Sequence, residues 1–249
     1  IAVFDELEAR RSFAFSATTP STKTPTEVPV IASVTLSDTS GRTLSGQTLE
    51  AFLCSIAHFD LLAVGLNCSL GARELRPYLE ELSEKAPFAV IAYPNAGLPN
   101  QFGEYDQSPD EMAGYIREFM QAGFLNMAGG CCGTTPEHIR LFVQLAEETT
   151  PRAIPQRKHE LWLAGLEPLT VFKGSNFINI GERTNVSGSR KFARLIREEK
   201  YEEALSIARQ QVDNGAGLID ISMDEALLDG EKAMVGFLNM LSSDPDVAR

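Results

Sequence analysis

The stretch from Phe124 to His138, FLNMAGGCCGTTPEH, predicts the fold of the first half of the chain. Its apolar start, Phe124 to Ala128, indicates a buried strand. Glycines and two adjacent cysteines follow, and then Thr135 and Pro136 begin a helix as its N-cap and first helical residue. The stretch therefore predicts a strand, a glycine-rich turn and a helix in that order.

The same order of strand and helix recurs upstream of this stretch. Near-continuous apolar runs are typical of parallel strands covered on both faces, and the amphipathic segments between them predict helices. Four successive βα units indicate an α/β fold with a parallel sheet and, by repetition, part of a (β/α)8 TIM barrel. Strands are predicted at 28–36, 61–66, 88–93 and 124–128, and helices at 46–58, 71–85, 109–121 and 136–148.

A second region follows residues 151–176, which contain three prolines, mixed charge and no sustained period. That composition predicts an interdomain linker. Beyond it a strand at 177–180 leads into Gly181-Glu-Arg-Thr-Asn185, GERTN, and strands and helices alternate again. We therefore expect a barrel portion over 1–150, the linker over 151–176 and the first βα units of a second TIM barrel over 177–249. The other elements predicted there are helices at 189–198, 201–214 and 230–241 and a strand at 218–222.

Two features predict that the chain is a fragment of a longer protein. It opens inside a helical pattern, Ile1 to Arg11, with no strand before it. Four βα units also make only half of a barrel, which needs eight. Unpaired strand edges would follow, so we expect the isolated chain to be poorly stable or oligomeric.

Composition excludes several classes of function. The net charge of −12 argues against binding nucleic acid, which requires a basic face. No apolar run approaches the ~18 residues that span a membrane, and the N-terminal residues do not resemble a signal peptide. Four cysteines in 249 residues do not make a disulfide framework. We expect a cytoplasmic protein with reduced thiols.

Three of those cysteines follow predicted strands. Cys68 ends the strand of GLNC, and Cys131 and Cys132 follow a strand two units later, so all three can meet at the carboxyl edge of the sheet. Three thiolates suit Zn²⁺ with one coordination position open. The alternatives are a redox role or simple burial in the core, and burial is what we expect of Cys54. His138, His58 and His159 are rival ligands, although His138 fits a surface or capping position.

A zinc ion held by three thiolates is electron-rich and a weak Lewis acid toward carbonyl groups. It is suited instead to binding a substrate thiol as its fourth ligand. A free thiol has a pKa near ~8.5, and metal coordination deprotonates it while leaving the sulfur nucleophilic. The pattern therefore predicts alkylation of a thiol rather than hydrolysis.

Longer motifs carry a resemblance to a known family. GLNC at Cys68, YPNAGLPNQFGEY at 93–105 and GGCCGTTPEHI at 129–139 closely resemble the homocysteine-binding domain of the cobalamin-dependent methionine synthase family. GERTN and the following SGSRKF at 187–192 resemble the opening of its methyltetrahydrofolate-binding domain. The resemblance runs through essentially the whole chain, with the motifs in the family's order.

The resemblance implies a methyltransferase of methionine biosynthesis. Cys68, Cys131 and Cys132 would bind Zn²⁺, and homocysteine sulfur would occupy the open position. The methyl group would come from methyltetrahydrofolate through methylcobalamin, held on a later domain that this chain lacks. The isolated chain would not complete the full reaction, since parts of both barrels are missing.

Further residues are candidates for contacting the substrates. Asn95 can offer an amide oxygen to zinc before substrate binds, whereas Asn95 and Asn100 can equally satisfy the backbone of their loop. Glu104 and Asp106 can meet a substrate ammonium group or remain solvated. The resemblance implies pterin binding by residues of GERTN and of the next strand end. These candidates are Glu182, Thr184, Asn185 and Asp220.

The second site departs from the family pattern. Ser222 stands where the family usually has asparagine, and Ala226 replaces a usual glycine. A hydroxyl lacks the two-ended geometry of an amide, so these changes predict weakened folate binding. Without the resemblance, Glu182 and Arg183 would predict a simple ion pair.

Two other functions remain open. A cobalamin-independent homocysteine S-methyltransferase shares the cysteine pattern, but GERTN after the linker argues against it. A non-catalytic zinc-binding interaction module would close the metal site with a fourth protein ligand.

Overall fold

The computed structural model describes residues 29–37, 39–156 and 160–249. The chain divides into two compact units, Ile1–His159 and Glu160–Arg249. The predicted helical pattern at 1–11, the start of the first strand at Val28 and His159 lie outside the described residues.

The first unit is a parallel α/β structure, as its sequence predicts. Its four strands lie in the order β1-β2-β3-β4, and every pair is parallel. A helix follows each strand. The elements are β1 (Ile31–Val34), α1 (Leu49–Ile56), β2 (Ala63–Gly71), α2 (Ala72–Lys85), β3 (Ala89–Asn95), α3 (Pro109–Gln121), β4 (Met127–Ala128) and α4 (Pro136–Glu147).

One face of this sheet carries the main core. Alternate residues of β1, Ala32 and Val34, pack with the helices, and Phe119 and Met112 of α3 are fully buried there. The opposite face holds a smaller apolar cluster of Ala63, Ala89 and Ile91 with Tyr93 and Met127. The two faces therefore differ, and only one is covered by the described helices.

The observed strands differ from the predicted ones at their ends. β2 continues to Gly71, beyond the predicted end at residue 66, and β3 continues to Asn95. β4 has only two residues, because the chain turns at Gly129 and Gly130. α3 has the predicted bounds, and Thr135 and Pro136 begin α4 as predicted.

The second unit contains an antiparallel hairpin that the sequence did not predict. β5 (Leu161–Ala164) pairs with β6 (Pro168–Val171), inside the segment expected to be a linker. The prolines of the segment suggested irregular structure, but Pro168 lies at the first position of β6, where a missing N–H is tolerated.

The rest of this unit is again parallel α/β. β7 (Ile180–Asn185) pairs in parallel with β8 (Leu218–Ser222). β7 was predicted over 177–180, ending before GERTN, and this prediction is wrong. The strand begins at Ile180, the last residue of FINI, and includes all five residues of GERTN. The helices are α5 (Arg190–Arg197), α6 (Tyr201–Asp213) and α7 (Gly230–Ser243).

No helix within the described ranges is both long and apolar enough to cross a membrane.

Candidate functional site

The sulfurs of Cys68, Cys131 and Cys132 lie together at the carboxyl edge of the first sheet, and these three cysteines are called the thiol group. The Sγ of Cys68 lies 3.5 Å from that of Cys132, which is 3.9 Å from the Sγ of Cys131. All three sulfurs lie within 4.8 Å of one another, and in the described part of the chain no other histidine, cysteine or carboxylate joins this group. Cys54 lies apart from it, partly buried in α1.

Cys68 reaches the group through an unusual backbone. Cys68 and Ser69 have φ angles of 54° and 59°, in the left-handed region, and the register of β2 against β3 shifts between Asn67 and Gly71. Left-handed φ values are costly for residues with a side chain and concentrate at functional sites. This bulge turns the Cys68 side chain toward the other two cysteines, and no signal in GLNC predicted it.

The turn that carries Cys131 and Cys132 is held against the end of β3. The Cys131 N–H donates to the Pro94 carbonyl at 2.8 Å, and the Ala96 N–H donates to the Cys132 carbonyl at 2.8 Å. Gly133 follows with a φ of 79°, and a Cβ there would lie 2.3 Å from the Cβ of Tyr105. The turn therefore requires glycine for both its conformation and its packing.

Asn95 contacts both sides of the thiol group. Its Oδ1 accepts a hydrogen bond from the Cys132 N–H at 3.2 Å, and its side chain also bonds to Cys68. The amide is 1% exposed. Asn95 thus satisfies the backbone of the cysteine turn, which was one of its two predicted roles.

The pKa values of Cys131 and Cys68 are shifted in opposite directions. Burial, followed by hydrogen bonds with Cys68 and Cys132, raises the pKa of Cys131 to about 11. Burial acts in the same direction on Cys68, but hydrogen bonds from the Ser69 N–H, the other two thiols and Asn95 outweigh it and lower the pKa of Cys68. The charge of a Cys68 thiolate also opposes ionisation of Cys131.

Tyr105 stands beside the group. Burial, followed by a hydrogen bond with Cys132 and the charges of all three cysteines, raises the pKa of its hydroxyl. The motifs gave no separate signal for this residue.

His138 is a capping residue and lies outside the thiol group. Its Nδ1 lies 3.2 Å from the Thr135 nitrogen and 2.9 Å from Thr135 Oγ1, and its Nε2 lies 3.2 Å from the Gln107 carbonyl oxygen. It is buried, so the expected capping position is observed and the surface position is not.

The candidate substrate-binding residues in the loop after β3 are either exposed to solvent or hydrogen-bonded within the loop itself. The Oδ1 of Asn100 accepts hydrogen bonds from the backbone N–H groups of Phe102 and Glu104 at 2.9 and 3.0 Å. Glu104 and Asp106 are exposed. His58 is exposed after α1, away from the thiols.

The sulfur positions fit a zinc ion. Tetrahedral thiolates at a Zn–S distance of about 2.3 Å are separated by about 3.8 Å, close to both spacings given above. The spacing of Cys68, Cys131 and Cys132 is thus compatible with one metal ion bound by all three sulfurs.

The second unit brings three of the four predicted pterin residues into one hydrogen-bonded group. Asn185 Nδ2 donates to Asp220 Oδ2 at 3.1 Å, and the Thr184 hydroxyl donates to the Asp220 carbonyl at 2.6 Å. Asn185 Oδ1 accepts hydrogen bonds from the N–H groups of Ser187 and Gly188. Thr184 is fully buried, so its contribution is to position Asp220.

Glu182 lies on an exposed bulge in β7. The register against β8 shifts between Gly181 and Thr184, and the Arg183 N–H in the bulge donates to Gln211 Oε1 at 2.6 Å. Both are described residues, and Glu182 and Arg183 do not form the ion pair that was the alternative. Gln211 was missed, because a glutamine inside a helix gives no sequence signal.

Ser222 occupies the strand position opposite Asn185. Its hydroxyl accepts a long hydrogen bond, 3.4 Å, from the Asp224 N–H. An exposed Ala226 follows in the next turn.

Two protein-family models match the chain, one for each unit, in the order expected from the sequence motifs. Residues 2–146 match the family model of homocysteine S-methyltransferases, and residues 181–248 match that of pterin-binding enzymes. These domains assign the chain a methyltransferase role in homocysteine methylation, together with binding of a pterin. Because the first match covers more than half of the 249 residues, the chain belongs to the homocysteine S-methyltransferase family.

Proposed function

We propose that this chain is part of a cobalamin-dependent methionine synthase and methylates homocysteine at a zinc ion bound by Cys68, Cys131 and Cys132. The observation that carries the proposal is the spacing of their sulfurs, 3.5 and 3.9 Å, at the edge of the sheet. When bound, zinc would stabilise homocysteine as a thiolate at neutral pH.

The residues around the thiols prepare them for this role. The left-handed turn at Cys68 and the backbone hydrogen bonds of Cys131 support a fixed arrangement of the three sulfurs. Asn95 and the Ser69 N–H donate hydrogen bonds to Cys68, which favours its thiolate form. Such hydrogen bonds to metal-binding residues orient them and tune the site.

The proposed reaction is a methyl transfer to sulfur. The homocysteine thiolate attacks the methyl carbon, a carbon–sulfur bond forms, and the bond between methyl and its donor breaks with its electron pair left on the donor. Methylcobalamin is the proposed donor, and methyltetrahydrofolate is the proposed source of its methyl group. Methionine is the product.

The second unit is the proposed methyltetrahydrofolate site. Glu182, exposed on its bulge, is placed to accept hydrogen bonds from the guanidine-like edge of a pterin. Asp220 and Asn185 would bind beside it, and Thr184 would hold Asp220 in place. Ser222 and Ala226 depart from the family pattern here, so we expect folate affinity below that typical of the family.

The proposal extends to architecture. The four parallel βα units of the first unit would form half of a TIM barrel, and β7, β8 and their helices would begin a second one. The domain limits proposed are 1–150 and 177–249, with 151–176 between them. A cytoplasmic location is proposed from the reduced cysteines.

Two observations weigh against the alternatives. The pterin-binding match at 181–248 disfavours a cobalamin-independent enzyme without a folate domain. A non-catalytic zinc module needs a fourth protein ligand, and in the described part of the chain no fourth histidine, cysteine or carboxylate joins the thiol group.

Metal analysis tests the proposal. We expect about one zinc per chain in the purified protein, and its loss in Cys68→Ala and in Cys132→Ala. Cys54→Ala is the matched control, because Cys54 lies apart from the group and should leave zinc content unchanged. Unchanged zinc in both cluster variants would refute the triad.

X-ray absorption then separates a catalytic site from a structural one. Homocysteine should replace a light-atom neighbour of zinc with a fourth sulfur. A coordination sphere that homocysteine does not alter would favour the interaction module instead.

A further inference from the structure

A polar triad lies on the face of the first sheet that the described helices leave open, next to Cys68. The Ser33 hydroxyl donates to Asn67 Oδ1 at 2.7 Å, and Asn67 Nδ2 donates to Thr35 Oγ1 at 2.9 Å. Asn67 directly precedes Cys68 in the chain. The triad therefore joins the end of β1 to the residue that leads into the thiol group.

The triad faces away from the helix-packed core. Ser33 and Thr35 are exposed, whereas the alternating residues Ala32 and Leu36 are buried among the helices. Ser33 and Thr35 are therefore open to solvent on the face opposite this core, beside the strand that carries Cys68.

An aromatic ring continues this surface toward the cysteines. Tyr93 is the register partner of Asn67 and belongs to the small apolar cluster on the same face. A Cβ on Gly129 would lie 2.6 Å from the Tyr93 ring, so the ring extends to the start of the cysteine turn. This face of the sheet is thus polar at Asn67, next to Cys68, and aromatic at Tyr93, next to Gly129.

The hydrogen bonds of the triad run in one direction, which gives its ends opposite character. Ser33 uses its proton on Asn67, so its oxygen lone pairs remain to accept a hydrogen bond. Thr35 accepts from Asn67, so its own proton remains to donate. One end of the triad suits an ammonium group and the other suits a carboxylate.

We propose that Ser33, Asn67 and Thr35 bind the amino-acid end of the thiol substrate, with its ammonium at Ser33 and its carboxylate at Thr35. This inference rests on the proposed function, since it places the substrate sulfur at Cys68, Cys131 and Cys132. The sulfur and Cα of homocysteine are about 4 Å apart. That length is comparable to the step between neighbouring residues or strands, about 3.3 to 4.8 Å.

The test uses four thiols of similar length that differ only in their charged groups. Homocysteine carries both groups, 4-mercaptobutyrate only the carboxylate, 3-amino-1-propanethiol only the ammonium and 1-propanethiol neither. Their binding to the cobalt(II)-substituted protein would be followed by the sulfur-to-cobalt absorption band. The wild-type protein should bind homocysteine at least about tenfold more tightly than 1-propanethiol.

Single variants separate the two ends of the triad. Thr35→Val should weaken homocysteine and 4-mercaptobutyrate by about five- to tenfold and leave 3-amino-1-propanethiol unchanged. Ser33→Ala should do the reverse. Thr39→Val, an exposed threonine in the following turn, is the matched control and should change none of the four affinities.

Three results would overturn the inference. Equal binding of homocysteine and 1-propanethiol by the wild-type protein would show that the amino-acid end is not recognised. Equal weakening of all four thiols by both variants would show that the triad only supports the fold. If no thiol changes the cobalt spectrum, the proposed function itself fails, which the other two results leave intact.

Discussion

Cys68 and Ser69 adopt consecutive left-handed conformations beside the thiol group. Such a conformation costs roughly 1–2 kcal/mol for each residue that carries a Cβ. The surrounding hydrogen bonds must offset this cost for Cys68 to point toward Cys132. Local strain and site geometry are therefore linked at this residue pair.

Substitution of Ser69 measures that strain. Ser69→Gly should be more stable than Ser69→Ala by about 0.5–1 kcal/mol. Glycine avoids the steric cost of the left-handed conformation, and this gain exceeds the extra conformational entropy that glycine loses on folding. Comparison with alanine removes the effect of the hydroxyl. Urea unfolding followed by circular dichroism would measure the difference, and equal stabilities would mean that the strain is absent.

Gly133 allows a second prediction at the same scale. Gly133→Ala adds a Cβ 2.3 Å from that of Tyr105, in a backbone with a φ of 79°. Gly123→Ala is the matched control, because its φ is 74° but no atom lies within 4 Å of the added Cβ.

The control should lose about 1–2 kcal/mol from its left-handed conformation alone. In Gly133→Ala, overpacking should lower the free energy of unfolding by about 1–3 kcal/mol more than in the control. Its zinc content should also fall, because the added Cβ displaces the turn that carries the cysteines. Urea unfolding and metal analysis check both effects. Equal losses of stability with zinc retained would contradict the role given to Gly133.

At the scale of elements, the sequence predicted what depends on local patterns. The period of apolar residues predicted the helices of the first unit, and Thr135 with Pro136 predicted the start of α4. The convergence of the three cysteines followed from their positions after parallel strands. The helices and the start of α4 depend on residues close together in the chain, and the convergence of the cysteines depends on the parallel order of the strands.

Features that depend on distant partners were not predictable in this way. In the bulge of β7, the Arg183 N–H donates to the side chain of Gln211, which lies 28 residues further along the chain. The β5–β6 hairpin forms in a segment whose prolines indicated a linker, and the N–H of Leu166 in its turn donates to the distant Ala248 carbonyl at 2.6 Å. In each case, tertiary contacts outweighed the local signal.

The end of α7 provides a pH-dependent prediction. Arg209 Nε donates to Asp244 Oδ2 at 2.5 Å, and the Asp246 N–H donates to Asp244 Oδ1 at 3.0 Å. Burial tends to raise the pKa of Asp244, but these hydrogen bonds outweigh it and lower the value. A carboxyl whose pKa is lower in the folded state stabilises the protein above its unfolded pKa of about 3.9, and this stability disappears as the pH falls through the folded pKa.

We therefore expect Asp244→Asn to destabilise the second unit by about 1 kcal/mol at pH 7, with the difference vanishing at low pH. Trp162, the only tryptophan, lies in this unit, so its fluorescence during urea unfolding reports the change. Asp246→Asn is the matched control, because Asp246 is exposed and contributes its backbone N–H. A difference independent of pH would argue against the charge.

At the scale of the whole molecule, each unit leaves sheet edges without a strand partner among the described residues. β4 pairs with β3 alone, and β7 and β8 form a two-stranded sheet. An open parallel edge presents unpaired N–H and carbonyl groups to other chains. Beside β4, an apolar groove is lined by Met127, Ile139 and Val143. Ile139 and Val143 are also exposed.

Association of this edge is the last prediction. The chain should associate as its concentration rises, because the groove and the strand edge can both be covered by another copy. Val143→Lys, which places a charge in the groove, should shift the association to higher concentration. Leu44→Lys is the matched control, since Leu44 is 94% exposed in the turn after β1 and does not line the groove. Light scattering coupled to size exclusion would measure the mass, and a wild-type monomer at all concentrations would show that the edge of β4 is protected.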